Sequence, residues 1–199
     1  MKLLFVNACP RERRISRTLE LCDTFIKTFR EKNTEIVVEE LNLFQAGVQC
    51  YGIEEIEHRD ELIGQKLFSD KMFDRARDFA LADIILVGAP YWDLSFPAVL
   101  KAYVEAICVN NITFHYTANG PEGLSDFSNM IYLTSSGGYP GEKRFGETYM
   151  EGIAHFLGKG EFDSFCAEGL DIQGNNVEAI MEEAKQKVQE LCSRIAEMS

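Results

Sequence analysis

Residues 84–108 read Ile84-Ile85-Leu86-Val87-Gly88-Ala89-Pro90-Tyr91-Trp92-Asp93-Leu94-Ser95-Phe96-Pro97-Ala98-Val99-Leu100-Lys101-Ala102-Tyr103-Val104-Glu105-Ala106-Ile107-Cys108. The wholly apolar run 84–87 predicts a short strand buried on both faces. Gly88, Ala89 and Pro90 end it. Ser95 is a candidate helix cap, and Pro97 suits a first helical turn. Val99, Leu100, Tyr103, Val104 and Ile107 then share one helical face. Between strand and helix stand Tyr91, Trp92, Asp93 and Leu94. An aromatic pair after a buried strand reads either as a plug over the sheet edge or as one wall of a ligand site. In an open α/β sheet, ligands bind at that end of the strands.

Working outward, residues 3–6 form a first strand. A loop with Arg11, Arg13, Arg14, Ser16, Arg17 and Thr18 follows. The next helix carries Leu21, Cys22, Phe25, Ile26 and Phe29 on one side. Free N–H groups and the helix dipole favour an anion at such a start, and Ser16, Arg17 and Thr18 add hydroxyl and cationic donors. A capped helix with solvated arginines is the plainer alternative. No Gly-Lys-Ser/Thr is present, so this is not a P-loop. Residues 35–41 predict a second strand. Residues 42–69 read as a long irregular connection. A helix around Met72, Phe73, Ala76, Phe79 and Ala80 leads into the central strand.

Beyond residue 108, residues 110–125 read as a loop built around Asn119-Gly120-Pro121. Residues 130–134 predict a fourth strand, ending in Ser135-Ser136-Gly137-Gly138-Tyr139-Pro140-Gly141. Such small residues let a backbone approach a flat ligand, or simply make a flexible loop. A helix over 142–157 follows, then a fifth strand over 162–167. Asn175 or Asn176 caps a last helix with Val177, Ile180, Ala184, Val188, Leu191 and Ile195 in one stripe. Five strands alternating with helices imply a parallel sheet with right-handed crossovers. The order 2-1-3-4-5 brings the loops after strands one, three and four to one edge, around a switch point.

The 199 residues suit a single domain over 1–199. A net charge of −12 argues against nucleic acid or an anionic membrane as partner. No apolar run spans a bilayer, and charged residues 11–14 cut short any signal peptide, so the expected location is the cytoplasm. Six cysteines at 9, 22, 50, 108, 166 and 192 form no Cys-x-x-Cys pair and show no metal spacing with His58, His115 or His155. They read as reduced thiols, several of them buried.

The runs Ala89 to Lys101, Thr113-Phe114-His115-Tyr116-Thr117-Ala118-Asn119-Gly120-Pro121-Glu122-Gly123-Leu124 and Thr134-Ser135-Ser136-Gly137-Gly138 carry a family likeness. The chain resembles the flavodoxin-like FMN-dependent NAD(P)H oxidoreductases, which include NADH azoreductases and NAD(P)H:quinone oxidoreductases. The resemblance implies a three-layer flavodoxin-like sandwich, bound FMN, NADH or NADPH as donor, and a homodimer. It also implies a ping-pong cycle: hydride to flavin N5, then two electrons to a quinone, azo compound or nitroaromatic. On this likeness Cys9, Ser16, Arg17 and Thr18 fall on the phosphate loop. Pro90, Tyr91, Trp92, Asp93 and Leu94 flank the ring, and Ser135, Ser136, Gly137 and Gly138 meet its other edge. His115 and Tyr116 either line the acceptor pocket or are a packing pair.

Cys9 stands where the family commonly has serine, Asp93 where it has asparagine, and Ser136 where azoreductases have arginine. Three other functions remain compatible with the fold: a flavin reductase releasing reduced FMN, a one-electron carrier, and a non-catalytic interaction module.

Overall fold

The computed structural model describes residues 1–198; the single-domain reading runs to Ser199, which lies outside the described residues. A five-stranded parallel sheet is built from β1 (Lys2–Asn7), β2 (Val37–Asn42), β3 (Ile84–Gly88), β6 (Asn129–Ser135) and β7 (Glu161–Ala167). Its order is β2-β1-β3-β6-β7. Counted within the sheet alone, this is the 2-1-3-4-5 order of the sequence reading. The remaining strands, β4 (Phe114–Thr117) and β5 (Gly120–Gly123), pair antiparallel as a separate hairpin.

Alternation along the strands sorts side chains into two layers. Leu3, Phe5, Ile84, Leu86, Ile131 and Leu133 share one cluster with Leu21, Cys22, Phe25 and Phe29 of α1 (Arg17–Lys32). Met181, Ala184, Val188 and Cys192 of α6 (Val177–Met198) complete it. The opposite faces, Leu4, Val6, Ile85, Val87, Met130 and Tyr132, pack against the other three helices of the core. These are α3 (Asp74–Ala80), α4 (Ala98–Ile107) and α5 (Phe145–Leu157). Gly88 ends β3 because α1 leaves no room there: an added Cβ would lie 2.5 Å from Cys22 Sγ. No helix among the described residues is long and apolar enough to cross a membrane.

Four sequence expectations change. The connection 42–69 contains α2 (Ile53–Gly64), which buries only Leu62 on itself. Ile53 and Ile56 point to solvent, so no apolar stripe announces this helix. The loop 110–125 contains the β4–β5 hairpin, held to α5 by Phe114 against Phe156, with ring centroids 4.7 Å apart. Ser95 does not cap α4. It closes a turn with Trp92 by two backbone hydrogen bonds, of 3.1 and 2.7 Å, and the helix starts at Ala98 after Pro97. The helix expected over 142–157 begins only at Phe145. Of the two caps the sequence offers for α6, Asn176 is the one that accepts the N–H of Ala179.

Candidate functional site

The carboxyl ends of β1, β3 and β6 lie side by side, so the loops that leave them meet. They enclose a cleft of about 160 Å³. Ser16, Arg17 and Thr18 line one end; Pro90, Tyr91 and Trp92 form one wall; Ser135, Ser136 and Gly137 form the other. Pro10 and Arg11 from the first loop and Leu170 and Asp171 from the loop after β7 also line it. The loops are tied together: Thr18 Oγ1 and Ser135 Oγ stand 2.7 Å apart, and Tyr91 N–H donates to Ser135 C=O at 3.0 Å.

At the start of α1, Ser16 takes the capping role: its hydroxyl oxygen accepts from Leu19 N–H at 3.3 Å, and its hydroxyl is still able to donate. The N–H groups of Arg17 and Thr18 meet no backbone acceptor among the described residues. A helix start with two unmet N–H groups, two hydroxyls and a guanidinium is an anion cradle.

The four arginines are not one positive field. Arg13 is spent on Asp23 and, with contacts of 2.7 and 2.5 Å, on Glu40, and Arg14 pairs with Glu12 at 2.7 Å. Arg17 and Arg11 alone of the four reach the cleft.

Asp93 and Leu94 both lie in the left-handed region, at φ 51° and 69°. Together with the paired hydrogen bonds of Trp92 and Ser95 this makes a primed two-residue turn. Asp tolerates that conformation; Leu does so at a cost of roughly 1–2 kcal/mol. The turn leaves the N–H groups of Asp93 and Leu94 without a backbone acceptor among the described residues, as are those of Gly137 and Gly138. Trp92 is 41% exposed. The lining suits a phosphorylated flavin in its chemistry: anion donors from Ser16, Arg17 and Thr18, the N–H of Gly137, and the aromatic wall of Tyr91 and Trp92. Gly137 leaves room for the Asp171 carboxylate, from which an added Cβ would lie 2.4 Å.

Cys9, Asp93, Leu94 and Gly138 sit beside the cleft rather than on its lining. Cys9 is buried beneath the cradle with its thiol 3.5 Å from Gly88 C=O. Burial pushes that thiol up to about 12, against the opposing pull of the Ser16 hydroxyl and Arg13, so it is neutral at physiological pH. Burial also raises Cys166 and Cys192 to about 12 and Cys108 to about 11. In the unfolded chain thiols ionise near pH 8.5. Stability is therefore fully present below about pH 8.5 and falls as pH rises toward the folded values. Denaturant midpoints measured from pH 7 upward check this; a midpoint unchanged well above pH 9 contradicts it.

His115 and Tyr116 lie on the β4–β5 hairpin, away from the cleft lining, where His115 Nε2 stands 3.7 Å from Glu122. Pro10, Leu170 and Asp171 line the cleft and were missed in the sequence reading; the last two come from the loop after β7. Gly169 and Gly174, both at positive φ, mark their loop, and the parallel order places that loop beside the fourth.

A family model described as a flavodoxin-like fold matches residues 1–192. An "FMN-dependent NADH:quinone oxidoreductase" of Lachnoclostridium phytofermentans is 33% identical over 188 residues, covering 94% of this chain and 95% of that protein. An "FMN-dependent NADH:quinone oxidoreductase 2" of Clostridium acetobutylicum is 34% identical over 194 residues, covering 95% and 96%. Among solved structures, an FMN-dependent NADH-azoreductase from Bacillus anthracis, determined in complex with FMN, superposes with a TM-score of 0.86. It is 22% identical, and the match covers 98% of this chain and 99% of that one.

Proposed function

This chain belongs to the flavodoxin-like fold family, and on that premise we propose that it is an FMN-dependent NAD(P)H oxidoreductase reducing quinones or azo compounds. The carrying observation is the convergence of three loops on one cleft with anion donors at one end and an aromatic wall at the other. When bound, FMN supplies the redox chemistry, taking a hydride from the nicotinamide and passing two electrons to the acceptor. Arg17, with the N–H groups of Arg17 and Thr18 and the Ser16 hydroxyl, would hold the phosphate. The N–H of Gly137 on the lining, and those of Asp93, Leu94 and Gly138 beside it, would be donors for the polar edge of the ring, where negative charge grows on reduction. Tyr91 and Trp92 would shield the ring from water. Tyr91 is held by its hydroxyl, which donates to Lys143 C=O at 2.9 Å.

A ping-pong cycle, in which nicotinamide and acceptor would use this cleft in turn, is part of the proposal. The test is to separate the half-reactions. Without air, NADH or NADPH bleaches the FMN-loaded protein. After the nicotinamide is removed, a quinone or azo dye restores the colour. Failure of either half-reaction contradicts the proposal.

Trp92, Leu94, Tyr139 and Phe145 are large apolar residues left exposed. A homodimer that covers these residues is the proposed working form, as the family resemblance implies. Sedimentation at the mass of two chains is the expected result; a single-chain mass at micromolar concentration contradicts it.

A further inference from the structure

The cleft contains one charge that opposes an anion. Asp171 lines the anion end, and its Oδ1 stands 2.8 Å from Arg17 Nη1. Arg17 therefore spends the charge that a phosphate would need on a carboxylate of the same chain. The placement is built rather than incidental. The loop after β7 is zipped to the loop after β6 by three backbone hydrogen bonds: Gly169 N–H to Gly138 C=O at 2.8 Å, Leu170 N–H to Ser136 C=O at 3.1 Å, and Asp171 N–H to Gly137 C=O at 2.8 Å. Asn175 Nδ2 ties the same loop down again, donating to Gly169 C=O at 2.7 Å and to Tyr139 Oη at 2.9 Å. The Asp171 carboxylate itself lies against Gly137, in the space a Cβ would fill. With its backbone pinned, Asp171 leaves Arg17 by turning its own side chain. It has solvent to turn into, since that side chain is 71% exposed.

We propose that Asp171 is a specificity-determining residue of the cofactor site, competing with the phosphate for Arg17 and so weakening selection of phosphorylated over unphosphorylated flavin. The inference rests on the functional reading above and deepens it. The charged side chains lining the cleft are Arg11, Arg17 and Asp171. Neutralising Asp171 raises the net charge that meets the phosphate from one positive to two. Because the pair is partly solvated, the effect is moderate.

Binding of FMN and of riboflavin to the apo-protein, followed by quenching of flavin fluorescence, tests this without turnover. Asp171→Asn keeps an oxygen for Arg17 but loses the charge. It is expected to tighten FMN binding roughly 3- to 10-fold and to leave riboflavin unchanged. Asp171→Ala, which removes the oxygen as well, is expected to tighten FMN in the same direction. If Asp171 instead serves to orient Arg17, Asp171→Ala weakens FMN, and that result overturns the inference. An equal change for both flavins, or no change, overturns it too. Wild-type protein that binds FMN while Asp171→Asn gains nothing ends this inference alone. Wild-type protein that binds neither flavin ends the functional reading and this inference with it.

Discussion

Replacing Arg17 by alanine is expected to weaken FMN binding by about 1.5–3 kcal/mol, a rise in Kd of roughly 10- to 150-fold. Arg17 reaches the anion end of the cleft with its charge answered, among the described residues, by the exposed Asp171. Hydrogen bonds to charged groups lie at the strong end of the range. Binding is weakened, not abolished, because the N–H groups of α1 and the Ser16 hydroxyl stay in place. Riboflavin, which lacks the phosphate, should bind the variant as it binds the parent. Titration of both flavins decides the matter, and an unchanged Kd for FMN removes Arg17 from the site.

Phe25→Ala is expected to cost about 3–5 kcal/mol of folding stability, the usual toll of truncating a fully buried aromatic side chain. Phe25 is 0% exposed and stacks on Phe29 with ring centroids 5.9 Å apart. It lies in the layer where α1 and α6 cover the sheet, beside Phe5, Leu86 and Val188. Its backbone carbonyl also receives the Cys192 thiol at 3.5 Å. A loss of that size is a large part of the roughly 5–15 kcal/mol that holds a typical domain together. The unfolding midpoint in urea should fall while the slope stays the same. A change below about 1 kcal/mol would mean that the helix layer repacks around the void.

The sheet was legible because its strands are apolar runs flanked by turn residues, and because a parallel order follows from strands alternating with helices. The anion loop and the aromatic loop were legible for the same reason: their chemistry is local to residues 16–18 and 91–94. Other features leave no local trace. α2 shows few apolar contacts of its own, so its periodicity is faint. The β4–β5 hairpin places Gly120, Pro121 and Gly123 inside a strand, where those residues normally argue against one. Ser95 looked like a helix cap because Ser before Pro often is one; the left-handed pair Asp93–Leu94 turns the chain first and delays the helix. Asp171 meets Arg17 across 154 residues of sequence, a distance no windowed pattern spans. Nor does the sequence show how the arginine cluster is paired: Arg13 meets Asp23 and Glu40, Arg14 meets Glu12, and Arg17 meets Asp171.

The central claim is that the loops after β1, β3 and β6 clasp one phosphorylated flavin. A crystal structure of this chain grown with FMN tests it most directly. The account predicts the phosphate against the N–H groups of Arg17 and Thr18, with Asp171 turned away and the ring between Trp92 and Gly137. Flavin bound instead in the groove beside Glu40 and Phe44, with this cleft left to solvent, would contradict it.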